Sequence, residues 1–163
     1  MALRSDRSTL QTDISFFMNE AATRGGVAVQ STGGSGASMD NGTALVTYAA
    51  NPSGKIPVGL LVNDMVSIDL TRQHLNQHKD EVQKGGKVTL LQKGFVVTSN
   101  LEGTPAAGNP AYLGHSGNIS PDSSAISDST DSTAHGNIVG RFLSAVDEDG
   151  YAKVYIDLPN TNK

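Results

Sequence analysis

Ile138-Val139-Gly140-Arg141-Phe142-Leu143-Ser144-Ala145-Val146, then Asp147-Glu148-Asp149-Gly150, then Tyr151-Ala152-Lys153-Val154-Tyr155-Ile156-Asp157-Leu158 is the stretch that decides the fold. Two runs rich in β-branched and aromatic residues flank a turn ending in Asp-Gly. That is the strongest short-range hairpin signal in the chain. Further strand candidates lie upstream. Ala111-Tyr112-Leu113 is a short one. Lys87-Val88-Thr89-Leu90-Leu91 and Phe95-Val96-Val97-Thr98 are separated by Gln92-Lys93-Gly94 and read as a second hairpin. Val58–Val62 and Met65–Leu70 read as strands about a bend at Asn63-Asp64, with Val66, Ile68 and Leu70 on one face. Ala44–Tyr48 and Val27–Val29 complete the set, and Asn51-Pro52-Ser53-Gly54 is a turn.

Three segments read differently. Ile14, Phe17, Met18 and Ala21 fall at i, i+3, i+4 and i+7, so a short helix capped by Asp13 and ended by Gly25 is favoured over 13–24, with a short strand competing because Asp13-Ile14-Ser15-Phe16 also alternates. Residues 71–84 are polar and read as an extended loop. Residues 114–137 hold seven Ser and almost no large apolar side chain. Such a segment cannot offset its ordering entropy by burial, so a long surface loop is expected there. The sum is an all-β protein, a compact barrel or sandwich of many short strands. The expected division is an N-terminal arm (1–12), one β-rich domain (13–158) and a short tail (159–163).

Composition narrows the function classes. The 163 residues correspond to about one domain. Gly (18) and Pro (6) exceed the average load of about 12% for the pair, as a turn-rich chain requires. There is no Cys, which removes disulfides, thiolate metal sites and a thiol nucleophile. A net charge of −4 argues against nucleic acid as a partner. No apolar run approaches the roughly 18 residues of a membrane span, and Met1–Arg7 lacks an apolar signal core. Synthesis in the cytoplasm and no membrane partner are the expectations.

No motif carries chemistry. His74 and His78 are four apart, but Leu75 stands where a zinc protease has Glu. His115 and His135 have no acid–base partner beside them in sequence. Asp147-Glu148-Asp149-Gly150 runs straight into a strand, so it reads as a turn and not as a calcium loop. Gly33-Gly34-Ser35-Gly36 lacks the phosphate-loop order, and no Gly-x-Ser-x-Gly elbow is present. A non-enzyme without metal or cofactor is expected.

Several runs carry a resemblance. They are Lys55–Leu61, Val66–His74, Gly85–Thr98, Val139–Leu143 and Asp147–Val154. Over roughly residues 12–158 the chain resembles the capsid decoration, or cement, proteins of tailed bacteriophages, particularly marine podophages. The resemblance implies a β-rich protein on the outer surface of an icosahedral head, made in the host cytoplasm. It implies homotrimers that grip the major capsid protein and stabilise the expanded lattice against the pressure of packaged DNA.

Read for that role, the N-terminal region offers Arg4, Arg7, Leu10, Phe16, Phe17, Met18 and Arg24 as capsid contacts. Aromatics are favoured interface anchors, although Phe17 and Met18 equally suit the chain's own core. Arg72, His74, His78 and Lys79 are candidates for a contact loop, since loops carry function more often than strands do. The competing readings are another virion component, a minor head or tail protein, and a carbohydrate-binding β-module. The last is weakened by four Tyr, four Phe and no Trp for stacking.

Overall fold

A computed structural model of the chain describes residues 8–31, 44–64, 81–123 and 137–158. They form twelve strands: β1 (Ser8–Asp13), β2 (Phe17–Met18), β3 (Ala22–Thr23), β4 (Val27–Gln30), β5 (Leu45–Thr47), β6 (Pro57–Asp64), β7 (Glu81–Val82), β8 (Val88–Thr98), β9 (Pro110–Leu113), β10 (Ile119–Ser120), β11 (Ile138–Phe142) and β12 (Ala152–Asp157). Ten share one sheet in the order β10-β9-β11-β12-β8-β6-β4-β5-β2, with β1 also on β8. β3 and β7 form a separate pair. The all-β class is as expected.

The eleven-residue strand β8 organises the rest. Lys93–Thr98 pair with β12, Val88–Leu91 pair with β6, and Leu90–Phe95 pair with β1. A strand has only two edges, and residues on both sides of Gln92 share a partner in β1. β6 and β12 therefore take successive stretches of the same edge, with β1 on the other. They diverge at Gln92, whose carbonyl accepts the Leu158 N–H at 2.8 Å.

The β6 branch curls round on itself. It runs β8-β6-β4-β5-β2 and returns to the start of β8. Phe17 bridges Lys87, Met18 N donates to Gly86 O at 2.9 Å, and Val88 N donates to Phe16 O at 3.1 Å. The interior of this small barrel holds Met18, Ala28, Val46, Leu61, Val88 and Leu90. The β12 branch folds over the outside of β4, β6 and β8. Between them lies the larger core, with Val27, Val29, Leu60, Val62 and Leu91 against Leu113, Ile119, Val139, Phe142, Val154 and Ile156. β4 and β6 are thus buried on both faces. That is why Val27-Ala28-Val29 and Leu60-Leu61-Val62 are unbroken apolar runs, whereas β12 alternates buried and half-buried residues.

Four expectations are corrected. Residues 13–24 form no helix; they hold β2 and β3. Helical spacing of four apolar residues is outweighed here by backbone pairing of Phe17 and Met18 with both β5 and the start of β8. The hairpin expected at Gln92-Lys93-Gly94 is one continuous strand. Gly94 takes φ 144°, a conformation open to glycine, and stays in the ladder between Thr9 and Ile156. The bend expected at Asn63-Asp64 lies within β6, and the strand expected at 65–70 lies outside the described residues. The start of the expected Ser-rich loop is built into the core, for Ile119 and Ser120 form β10 and are buried.

At the far end Tyr48 lies between the branches: its hydroxyl is held within the β6 branch, and its ring packs against Gly117 of the other. Its hydroxyl donates to Thr23 O at 2.6 Å and accepts from Gly26 N at 3.2 Å. Its ring fits where an added Cβ at Gly26 or Gly117 would approach within 2.8 or 2.7 Å. Burial, assisted by the nearby Glu20 carboxylate, pushes the phenol well above its ordinary value; the Gly26 N–H works against this. A raised folded value means stability that is complete below the unfolded value of about 10 and lost as pH rises above it. Tyr48→Phe is expected to cost about 1–3 kcal/mol, because it removes the acceptor of the buried Gly26 N–H. It is also expected to flatten the alkaline loss of stability between about pH 10 and 12 relative to wild type. Urea titrations of both proteins at neutral and alkaline pH measure this.

Gly140 faces Ile156 across the β11–β12 ladder, and an added Cβ would run into the Tyr155 carbonyl oxygen. Gly140→Ala is expected to cost about 3 kcal/mol by overpacking backbone against backbone. The urea midpoint should fall at an unchanged slope.

Candidate functional site

β1 lies along β8 as the outermost strand on that edge, and among the described residues β8 is its sole strand partner. The pairing begins with Ser8 opposite Phe95 and Thr9 opposite Gly94, then slips so that Gln11 faces Lys93. Leu10 is the extra residue, a β-bulge. On the other strand Gln92 is skipped, and the original register resumes with Thr12 opposite Leu91. A side-chain ladder spans the slip: Gln11 Nε2 donates to Gln92 Oε1 at 2.9 Å, and Gln92 Nε2 to Asp13 Oδ2 at 3.3 Å. Asp13 Oδ1 accepts from Ser15 N at 2.7 Å, turning the chain toward β2. Thr9 through Thr12 are exposed, and Leu10 is 70% exposed, the most of the three exposed large apolar residues described.

The other candidates are placed differently. Met18 is fully buried in the small barrel, and Phe16 packs against that core. Phe17 is half-buried, with the Lys87 ammonium 5.6 Å from its ring centre. Arg24 is half-buried between β3 and β4. Of the described candidates, Leu10 is the one that is mostly exposed. Arg4 and Arg7 lie outside the described residues, as do Arg72, His74, His78 and Lys79.

A second exposed region is the outer face of the β12 branch. Arg141, Tyr155 and Phe95 stand in one row across β11, β12 and β8. Lys153 Nζ sits 4.2 Å from the Phe95 ring centre, and Leu143 is 46% exposed nearby, its N–H bonded to Lys153 O. Lys93 and Asp157 pair at 3.3 Å with both side chains nearly half exposed, worth little in water.

The polar clusters are engaged in holding the backbone. A surface depression of about 380 Å³ is lined by residues including Glu20, Thr23, Tyr48, Asn100, Ser116 and Asn118. Glu20 Oε1 accepts from Thr47 Oγ1 at 2.5 Å and from Tyr48 N at 2.6 Å. Glu102 reaches His115, a pairing that sequence proximity does not reveal. One carboxylate oxygen accepts from His115 Nδ1 and the other from His115 N, both at 2.9 Å. An ionised carboxylate only accepts, so Nδ1 carries the hydrogen. The pair braces a tight turn that includes Ser116 at φ 53°. Asp147 Oδ1 likewise accepts from Asp149 N and Tyr151 N, so the acidic run is a hairpin turn as expected. Among the described residues no group of three His, Asp or Glu side chains is placed to hold a metal ion.

The surface therefore offers an exposed edge strand, uncharged from Ser8 to Thr12, with a bulged leucine, while these polar clusters serve the fold. Comparison with known families agrees with a structural role. The model of a family described as "Structural cement protein (E217 gp24/Pam3 gp6)" matches residues 3–157, nearly the whole chain and every strand described above. No curated protein matches it. The chain belongs to this family of phage structural cement proteins, which stabilise the capsid.

Proposed function

We propose that the protein binds the outer surface of an icosahedral phage head and stabilises the expanded lattice against the pressure of packaged DNA. Its partner is the major capsid protein, joined by further copies of itself as a homotrimer. It acts without catalysis, cofactor, nucleic acid or membrane. The family match over residues 3–157 carries this reading. Two features support it. The shared core, and the packing of the Tyr48 ring and the Ala49 carbonyl against Ser116 and Gly117, join the two branches into one body suited to transmitting load. The exposed apolar side chains stand on or beside strands that hold them at fixed positions.

The energetics are those of linkage. A protein that binds only the expanded lattice stabilises it by about 2.7 kcal/mol per site at a free concentration one hundred times Kd. Repetition across the lattice adds avidity when one assembly grips several subunits. The N-terminal residues Arg4, Arg7 and Leu10 remain in the proposed contact set, as do Arg72, His74, His78 and Lys79. Phe16 and Met18 leave it, because their side chains complete the small barrel.

Expanded heads lacking this protein provide the test. Added protein is expected to bind to saturation at about one copy per capsid subunit, counted by mass spectrometry, and to raise the temperature of DNA release. A few copies per particle would assign it to a vertex or tail. Saturating binding without a shift in DNA release would contradict the stabilising role.

A further inference from the structure

The proposed contact with the capsid leaves its mode unstated, and β1 supplies one. Edge strands expose unpaired backbone groups, and proteins commonly blunt them with charge, proline, short length or a bulge. β1 has six residues, carries no proline, and is uncharged from Ser8 to Thr12. Its residues Thr9, Thr12 and Leu10 are compatible with a strand whose two faces are both open. In an antiparallel ladder alternate residues direct their N–H and C=O groups to opposite edges. Half of the β1 backbone groups therefore face away from β8. Of the two register shifts along β1, the first, the bulge, leaves a leucine in solvent. Bulges are over-represented at sheet edges and beside functional sites, where they re-aim a side chain or end a pairing; here the bulge sets one apolar side chain apart on the edge.

Resting on the reading above, we infer that the outer edge of β1 accepts an extended segment of the major capsid protein as an added strand, with Leu10 seated in an apolar recess of that partner. Main-chain bonds supply affinity in such an arrangement, and one anchoring side chain fixes the register. The chemistry asks for a neutral, extended capsid segment, since β1 offers no charge before Asp13. A second copy of this chain suits the edge less well. Pairing about a two-fold axis would bring the same extra residue on both strands and interrupt a six-residue ladder twice. A segment of different sequence can meet the bulge with a single matched residue.

Full-length protein on cement-free expanded heads tests the inference, read by binding and by amide hydrogen exchange. Leu10→Ala is expected to weaken binding about tenfold or more, and Leu10→Arg to abolish it. Leu10 is mostly solvated, so both variants should keep the wild-type urea midpoint. In the free protein, the β1 amides facing away from β8 should exchange quickly. On heads the same alternate amides should become protected. Wild-type binding with those amides still exchanging, or with Leu10→Arg binding normally, would overturn strand addition while leaving the capsid-binding role intact. Protection that grows with protein concentration in the absence of heads would overturn it in favour of self-pairing. Failure of the wild-type protein to bind heads at all would overturn both this inference and the function on which it rests.

Discussion

Everything in this fold depends on how one edge of β8 is divided. Val88–Leu91 hold β6, Lys93–Thr98 hold β12, and Gln92 sits at the parting with its carbonyl on Leu158 N. Two sheets that leave one edge cannot be coplanar, so one must fold over the other. The larger core is the consequence, because the outer faces of β4 and β6 are covered by β9 to β12. The smaller core follows from the other edge, where residues 8–17 track back along β8 and deliver Met18 into the barrel. The same Gln92 is the residue skipped in the β1 ladder, so the fork and the bulge at Leu10 meet at one place.

The parts of this arrangement visible in the sequence are those set by local chemistry. The β11–β12 hairpin is legible because Asp147-Glu148-Asp149-Gly150 makes its turn from its own side chain and a terminal glycine at φ 84°. The apolar runs of β4 and β6 are legible as strands. Their burial on two faces is not, since it depends on a sheet contributed by residues more than fifty positions away. The helix expected over 13–24 fails for the same reason: residues 16–19 find backbone partners at Ala44, Val46, Gly86 and Val88, none of them local. Gly94 reads as a turn until its neighbours on both edges are known.

The proposed contact surface is legible in a similarly partial way. Leu10 stands out as a large apolar residue in a polar arm, but its exposure comes from a register slip against residues more than eighty positions away. Phe16, Phe17 and Met18 look like anchors by size and are consumed by packing and by Lys87. The Glu102–His115 pair has no sequence signature, because a turn and β9 separate the partners. The carboxylates at positions 20, 102 and 147 accept hydrogen bonds from backbone N–H groups. That distribution suits a protein whose work is to keep its shape under load.

A reconstruction of the intact virion head that resolves this chain tests the central claim most directly. The account predicts the two-branched β body outside the shell, at lattice positions, with the β1 edge toward a capsid subunit. Copies confined to the tail or the head interior would contradict it.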